Sequence, residues 1–397
     1  MTLIEHERAT TPTTGTAHHS APAGIVATPA ETPLSGSAPA HPRPDLDHER
    51  VLVVTGRRSG LVIVVAVHST RLGQALGGCR FWHYDSWTDG LDDALRLSRA
   101  MTLKNATAGL ARGGGKAVIV IPTGTVLTEE GRQAAMLDLG DAVESLDGAY
   151  MTAEDVGTSA PLMAIVALRT RHVCGLPAEQ GGVGEPADAT ATGVHAAVRA
   201  TLDSLFGSAE VNGRHIVISG LGQVGSRLAR ALVESGARLT VTDIDPAKRR
   251  LADELGARWS EPAAALTTPA DLLVPCGLGG VVTDQVIDRL RVAGVVGAAN
   301  NQLANRSGAR RLADRGILWA PDFIANAGGV IYLDGASGSD PASAEQIAER
   351  LEGIGETLTG IFAAAKQGGT TTLEEAERLA RERLAAHPAS ASPSADS

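Results

Sequence analysis

The residues best suited to chemistry are two lysines, Lys104 and Lys116, on either side of Gly113-Gly114-Gly115, with the β-branched run Val118 to Ile121 close behind. A lysine beside apolar surface and near a second cation has its pKa lowered, because desolvation and like charge both disfavour the protonated form. Such an amine acts as a base near neutral pH. The glycine triplet predicts a backbone that turns with φ > 0 and lets a ligand lie against it without Cβ interference. A structural turn between solvated lysines is the plain alternative on this stretch alone. Glu154 and Asp155 follow where a strand from Tyr150 gives way to Gly157, Thr158 and Ser159. A carboxylate there serves the lysines, or it caps the next helix.

A second stretch has the spacing of a phosphate cradle. Ile216 to Ser219 reads as a strand, Gly220-Leu221-Gly222-Gln223-Val224-Gly225 as a glycine turn, Ser226 to Glu234 as a helix, and Arg238 to Asp243 as a strand ending on an acid. That is the dinucleotide fingerprint in its βαβ context. Gly220 permits the tight turn, Gly222 lets a pyrophosphate approach, and Gly225 packs helix on strand. The diphosphate then rests on the helix N-terminus. Asp243 is placed for the adenosine ribose diol, which predicts NAD over NADP because a 2′-phosphate meets its charge. Arg249 and Arg250 leave a mixed preference open. Asn300 and Asn301 follow a strand expected at Gly294 to Ala298, where ligands of open α/β sheets lie.

These groups need a scaffold of two domains, and 397 residues is the length for it. A hairpin is expected from Val51 to Thr55 and Leu61 to His68, a glycine turn at Leu72 to Gly78, helices at Asp89 to Met101 and Glu129 to Leu146, and a strand at Val118 to Ile121. A glycine-rich link, Gln180 to Thr190, precedes a helix from Ala191 to Phe206. Helical patterns return at Ser343 to Lys366 and Leu373 to Ala385. The fold class expected is α/β in two domains: an N-terminal α/β substrate domain over 50–185, a Rossmann-type NAD-binding domain over 186–325, and C-terminal helices over 326–385 returning to the first domain. Residues 1–48, rich in Thr, Ala, Pro and Ser, and 386–397 have the composition of disordered segments. His18-His19 in the first of these carries little metal-binding signal.

Composition narrows the function classes. Hydrophobic residues make up 43%, charged residues 20%, aromatics 3%, and the formal net charge is −10. That balance argues against a nucleic-acid or anionic-membrane surface. Cys79, Cys174 and Cys276 have no metal-ligand spacing and read as buried thiols of a reducing cytoplasm. No bound metal is expected. Neither a secretory leader nor a spanning helix is indicated.

Taken together the motifs resemble the Glu/Leu/Phe/Val amino-acid dehydrogenase family, above all its leucine, valine and phenylalanine branch. The likeness is carried by Leu72-Gly73, Ala75 to Gly78, Lys104-Asn105, Gly113 to Lys116, Thr152 to Thr158, Gly220 to Gly225, Val241 to Asp243, Pro275-Cys276, Gly297 to Leu303, Ala320 to Asp322 and Asn326 to Ile331. It implies reversible oxidative deamination of an L-amino acid to its 2-oxo acid and ammonia, with NAD as cofactor. The exposed early strands of the first domain predict a homo-oligomer, and the cysteines a cytoplasmic setting. By that resemblance Lys104 pairs with the substrate carboxylate, helped by backbone near Gly77 and Gly78. Lys116 is the catalytic base, and Asp155 shares protons with it and holds it. Thr190 and Asn300 or Asn301 position nicotinamide and substrate, and the loop from Gly220 through Leu221, Gly222, Gln223, Val224, Gly225 and Ser226, with Asp243, holds the cofactor.

The side-chain pocket implied by the same resemblance is lined by Leu76, Ala153, Ile324 and positions around Ala327 and Val330. It offers no cation to an acidic side chain, which disfavours glutamate. Branched-chain amino acids come first and phenylalanine second, since one or two methylenes decide such pockets by only about 1–3 kcal/mol. A catalytically inactive NAD-binding relative is the other class of reading. Retention of both lysines and Asp155 argues against it. Trp82, His83 and Trp87, a cluster the family does not fix, read as packing. Tyr332 to Asp340 and Gly184 to Asp188 depart from the family pattern and bear on selectivity and hinge.

Overall fold

The computed structural model describes residues 46–177, 186–336 and 341–387. The expectations for His18-His19, for nearly all of 1–48, for the tail beyond 387, and for parts of the 180–190 link and of Tyr332 to Asp340 lie outside the described residues.

The first sheet begins with a hairpin, β1 (Arg50–Thr55) and β2 (Val62–Ser69), paired antiparallel with Val53 opposite Val64. There follow β3 (Ala75–Tyr84), α1 (Trp87–Thr107), β4 (Gly113–Pro122), α2 (Glu129–Glu144), β5 (Tyr150–Glu154) and α3 (Ala160–Ala167). Strand order is β1-β2-β4-β3-β5, with β3 parallel to both β4 and β5. Strand alternation sorts the side chains. Val64, Ala66, Val118 and Val120 face α1 with Ala94, while Ile63, Val65, Ala117 and Ile119 pack with Met136, Leu139 and Met163 of α2 and α3. Both faces are covered, so β2 and β4 read as continuous apolar runs.

Helix α1 is fixed at its start by a reciprocal capping box between Ser86 and Asp89, and it carries Lys104 in its last turn. The glycine triplet is not a turn. Gly113, Gly114 and Gly115 lie inside β4 without positive φ, and Gly77 and Gly78 lie inside β3. Their missing side chains serve close approach. A Cβ on Gly114 would strike the backbone of Thr102 in α1, one on Gly115 the Tyr150 ring, and one on Gly77 the carbonyl of Gly115. Trp82 and Trp87 are about half exposed, 52% and 48%, and His83 is exposed, so this trio is not the packing cluster expected.

The second sheet is all parallel, in the order β11-β10-β9-β6-β7-β8. Its strands are β6 (His215–Ser219), β7 (Arg238–Thr242), β8 (Arg258–Trp259), β9 (Leu272–Pro275), β10 (Gly294–Val295) and β11 (Leu318–Trp319). Strand β10 is shorter than the run to Ala298 predicted. Helix α4 (Ala187–Phe206) leads in, and α5 (Gln223–Glu234) follows β6. The short α6 (Arg249–Glu254), α7 (Pro262–Ala265), α8 (Asp284–Arg289) and α9 (Ser307–Asp314) complete the layers. The order reverses at β6 and β9, which opens a crevice at their carboxyl ends.

After the sheet come α10 (Asp322–Ala325), α11 (Gly328–Ala336), α12 (Ala344–Gly368) and α13 (Thr372–Ala385). Helix α12 packs on α4, and α13 returns to α1. There Arg383 donates to the carbonyls of Ala106 (2.8 Å) and Thr107 (2.6 Å) at the end of α1.

Candidate active site

On β4, Lys116 shares its face with Val118 and Val120, and that face lies under α1. The side chain is therefore enclosed, with Lys116 only 5% exposed. An enclosed ammonium requires a counter-charge. Asp155, just past β5, supplies it, its Oδ2 lying 2.9 Å from Lys116 Nζ. The guanidinium of Arg80, on the same face of β3, donates through Nε to that same oxygen at 3.1 Å. Burial pushes the Asp155 carboxyl up, but Lys116 and Arg80 hold it below the usual carboxylate range. Asp155 is not a helix cap: Ser159 stands at the N-cap of α3, and the Asp155 N–H donates to Thr158 Oγ1.

Lys104 approaches from the end of α1. Its Nζ donates to Asn326 Oδ1 at 2.7 Å, and Asn326 Nδ2 donates to Asn300 Oδ1 (2.8 Å) and to the Ala298 carbonyl (3.0 Å). Burial pulls the Lys104 amine down to about 8; Lys116 adds to the depression, while Asp322 and Asp155 oppose it. The Asp322 carboxyl is itself pushed up by burial, against the pull of Lys104 and of backbone donors. Lys104 thus shows the depression expected at a lysine flanking the glycine triplet.

Between these groups lies a cavity of about 370 Å³, within the range of small-molecule sites. Lys104, Lys116, Asp155, Gly77, Gly78, Leu76, Ala153, Thr190, Val224, Asn300 and Asn301 all line it. Met101, Phe323, Val330 and Leu333 complete an apolar wall. Ile324 and Ala327 do not line it. Both are buried in the core that joins α4, α10 and α11, because the cavity-facing position of α10 is taken by Phe323.

The fingerprint loop lies at the crevice end of β6. Gly220 has φ +107, and a Cβ on Gly225 would strike the Gly220 carbonyl, so both glycines answer to the fold. Gly222 differs: a Cβ there meets no protein atom within 4 Å. Among the described residues nothing requires glycine at that place, and the space is open for a ligand. The Leu221 side chain is fully buried, and its N–H donates to Asp243 Oδ2 (2.5 Å), while the Asp245 N–H donates to Oδ1 (2.9 Å). Each Asp243 oxygen keeps a further lone pair for a hydroxyl donor. Gln223, Ser226 and Val224 occupy the first turn of α5, whose free N–H groups suit an anion.

Arg80, Asp322 and Asn326 carry parts of the site to which the sequence attached no role. For Arg80 a signal existed: a lone cation within the β3 run, on the parity of Gly78. For Asn326 the signal was its place before a glycine pair.

Residues 48–172 match the sequence model of the Glu/Leu/Phe/Val dehydrogenase dimerisation domain, and residues 181–247 and 240–390 match that of the Glutamate/Leucine/Phenylalanine/Valine dehydrogenases. The chain is 39% identical to a leucine dehydrogenase of Geobacillus stearothermophilus over 85% of its own length and 91% of that protein. It is 40% identical to a valine dehydrogenase of Streptomyces albus, over 85% and 92%. Among solved structures it is similar to the L-tryptophan dehydrogenase of Nostoc punctiforme, with TM-score 0.75 and 34% identity over 87% of this chain and 98% of that one.

Proposed function

The chain belongs to the Glu/Leu/Phe/Val amino-acid dehydrogenase family, and from that premise we propose that it deaminates a branched-chain L-amino acid, with leucine, valine and isoleucine favoured, to the 2-oxo acid and ammonia with NAD as cofactor. It is an amino-acid dehydrogenase, an oxidoreductase. The observation that carries the reading is the convergence of Lys104, Lys116 and Asp155 on one largely apolar cavity.

Lys104 binds the substrate carboxylate, with backbone at Gly77 and Gly78 alongside. Lys116 takes the proton from the α-ammonium, since hydride leaves the α-carbon only once the amine is neutral. Asp155 holds the Lys116 ammonium so formed and stabilises the positive charge that develops on the substrate. NAD, when bound, supplies the hydride acceptor. Lys116 passes the α-ammonium proton to Asp155 Oδ2, 2.9 Å away, and once neutral takes a proton from the water that attacks the imine. It returns this proton to the amine, which leaves as ammonia while the hydroxyl proton passes back to Lys116 and the 2-oxo acid forms. The residues that would hold the cofactor are the loop from Gly220 to Ser226 and Asp243, with Thr190, Asn300 and Asn301 at the nicotinamide end. The open space over Gly222 fits a pyrophosphate, and the Asp243 charge disfavours a 2′-phosphate.

The aliphatic wall of Leu76, Ala153, Val330 and Leu333 supports the branched-chain preference. Phe323 and Met101 beside it, and the likeness to a tryptophan dehydrogenase, favour an aromatic amino acid as the second reading. We take 50–185 as the substrate domain, 186–325 as the cofactor domain and 326–385 as the returning helices. The match to a dimerisation domain supports a homo-oligomer, and three unpaired cysteines support a cytoplasmic setting. Among the described residues no helix is long and apolar enough to cross a membrane, and no acidic, His and Cys cluster could hold a metal.

The test is a spectrophotometric panel: purified protein with NAD or NADP and L-Leu, L-Val, L-Ile, L-Phe, L-Trp and L-Glu, following reduced cofactor. Highest kcat/KM with NAD and a branched-chain substrate is expected. Highest kcat/KM with an aromatic substrate would replace the substrate assignment, and no turnover with any would sink the whole reading.

A further inference from the structure

We propose that Arg80 is a positioning residue for the reaction: its guanidinium shares Asp155 Oδ2 with Lys116, so that Lys116 never has sole hold of the carboxylate and is pressed to give up its proton. The inference rests on the role of Lys116 given above. Because both nitrogens contact one oxygen, at 3.1 and 2.9 Å, Arg80 and Lys116 are neighbouring like charges in a partly closed site. A like charge at that range favours the neutral amine, and a carboxylate divided between two cations compensates each of them less than a private one does.

Arg80 is itself anchored. Its Nη1 donates to Asp93 Oδ2 at 2.9 Å, and that carboxylate also accepts from Tyr84 Oη (2.8 Å) and, through Oδ1, from Arg96 Nη2 (2.6 Å). Strand β3 sets Arg80 and Tyr84 on one face, and α1 presents Asp93 and Arg96 to them. The guanidinium is thus clamped between one carboxylate in the cavity and another toward the surface. The other charged or titratable groups facing Lys116 and Asp155 are Lys104 on α1, Asp322 on α10, Glu154 beside Asp155 on β5, and the buried Cys79 thiol on β3. Among the described residues, Arg80 and Lys116 are the cations in hydrogen-bond contact with Asp155.

The signs are fixed by charge. Removing Arg80 makes both Lys116 and Asp155 hold protons more tightly, so in the deamination direction the rise of kcat/KM with pH moves to higher pH. Removing Asp93 leaves Arg80 less neutralised and moves it to lower pH. The experiment is the kcat/KM pH profile of wild type, Arg80→Gln, Arg80→Lys and Asp93→Asn. The expected result for Arg80→Gln is an alkaline displacement of roughly one pH unit or more, with activity recovering at high pH. Arg80→Lys, which keeps the charge, retains the wild-type limb. A uniform fall in kcat/KM with the limb unmoved would mark Arg80 as scaffolding alone and overturn the proposal. If Arg80→Gln does not fold, Asp93→Asn decides by its opposite displacement, and an unmoved limb there overturns it equally.

Absence of turnover in wild type would remove the proposed function but leave Arg80 testable. Trace acetylation of Lys116 across pH, read by mass spectrometry, then replaces turnover. A reactivity curve displaced to higher pH in Arg80→Gln supports the proposal, and superimposable curves overturn it.

Discussion

Lys104 Nζ and Asn326 Oδ1 meet at 2.7 Å across 222 residues of chain. The bond ties the last turn of α1, beside the first sheet, to the end of α10, beside the second. Asn326 continues to Asn300, which follows β10 at the crevice. Under the proposed role of Lys104, a substrate carboxylate arriving there changes a contact between the two halves of the molecule.

From the proposed role of Lys104, Lys104→Ala should raise the KM for the amino acid about 10- to 100-fold, the range for losing a hydrogen bond to a charged group. The NAD KM should change little. Steady-state kinetics at saturating cofactor checks this, and an unchanged substrate KM would remove Lys104 from carboxylate binding.

The lowered pKa of Lys104 also has a stability consequence. Its folded value of about 8 lies below the ordinary 10.5, so between those values the unfolded chain binds more protons and stability from this group rises with pH. Below about 8 the buried ammonium is a full cost. Lys104→Met should therefore stabilise the fold at pH 7 by up to about 3 kcal/mol, and the gain should vanish as pH climbs toward about 10.5. Denaturant midpoints at several pH values read the difference. A constant gain across that range would refute the titration argument.

Lys116→Ala should lower kcat by about 10²- to 10⁴-fold, the contribution of a positioned general base, with cofactor binding kept. The ion-pair partner of Lys116 is Asp155, which lies outside the fingerprint loop. Fluorescence titration with reduced cofactor separates the two effects. Near-normal turnover would mean that another group moves the proton.

Much of this was legible in the sequence. The βαβ unit at Ile216 to Asp243 has local signals at every step, and β6, α5 and β7 stand where they were read. The lysines and Asp155 were marked by residue type. What the sequence withheld is long-range. That Gly113 to Gly115 are strand residues depends on Ser69, Thr102 and Tyr150 crowding them from three other elements. That Ile324 is core while Phe323 faces the cavity depends on the rotation of a four-residue helix, which no periodicity can fix. Arg80 stands out in sequence only as a lone cation in its strand; its anchor, Asp93, reaches it through the packing of α1 on β3.

Gly114→Ala tests close approach separately from backbone conformation. Its Cβ would overlap the Thr102 backbone, which cannot rotate away, so a loss of about 3 kcal/mol or more is expected. Gly60→Ala, at φ +70 with nothing within 4 Å, should lose only about 1–2 kcal/mol, the left-handed penalty. Thermal or denaturant unfolding compares them, and equal losses would show that crowding is not what keeps glycine in β4.

Gly222→Ala separates ligand from fold. Gly222 has φ −69 and ψ −158, an extended conformation open to alanine, and its Cβ would meet no protein atom within 4 Å. The fold therefore has no steric reason to exclude a methyl group, and the melting temperature should stay close to that of wild type. A pyrophosphate resting on the start of α5 does have such a reason, because the methyl stands where its oxygens approach the backbone. The NAD KM should rise at least about tenfold, a loss of roughly 1.4 kcal/mol in binding, while kcat at saturating NAD changes far less. If the variant binds NAD as tightly as wild type, the diphosphate does not lie over Gly222, and the cradle must be sought elsewhere along the crevice between β6 and β9.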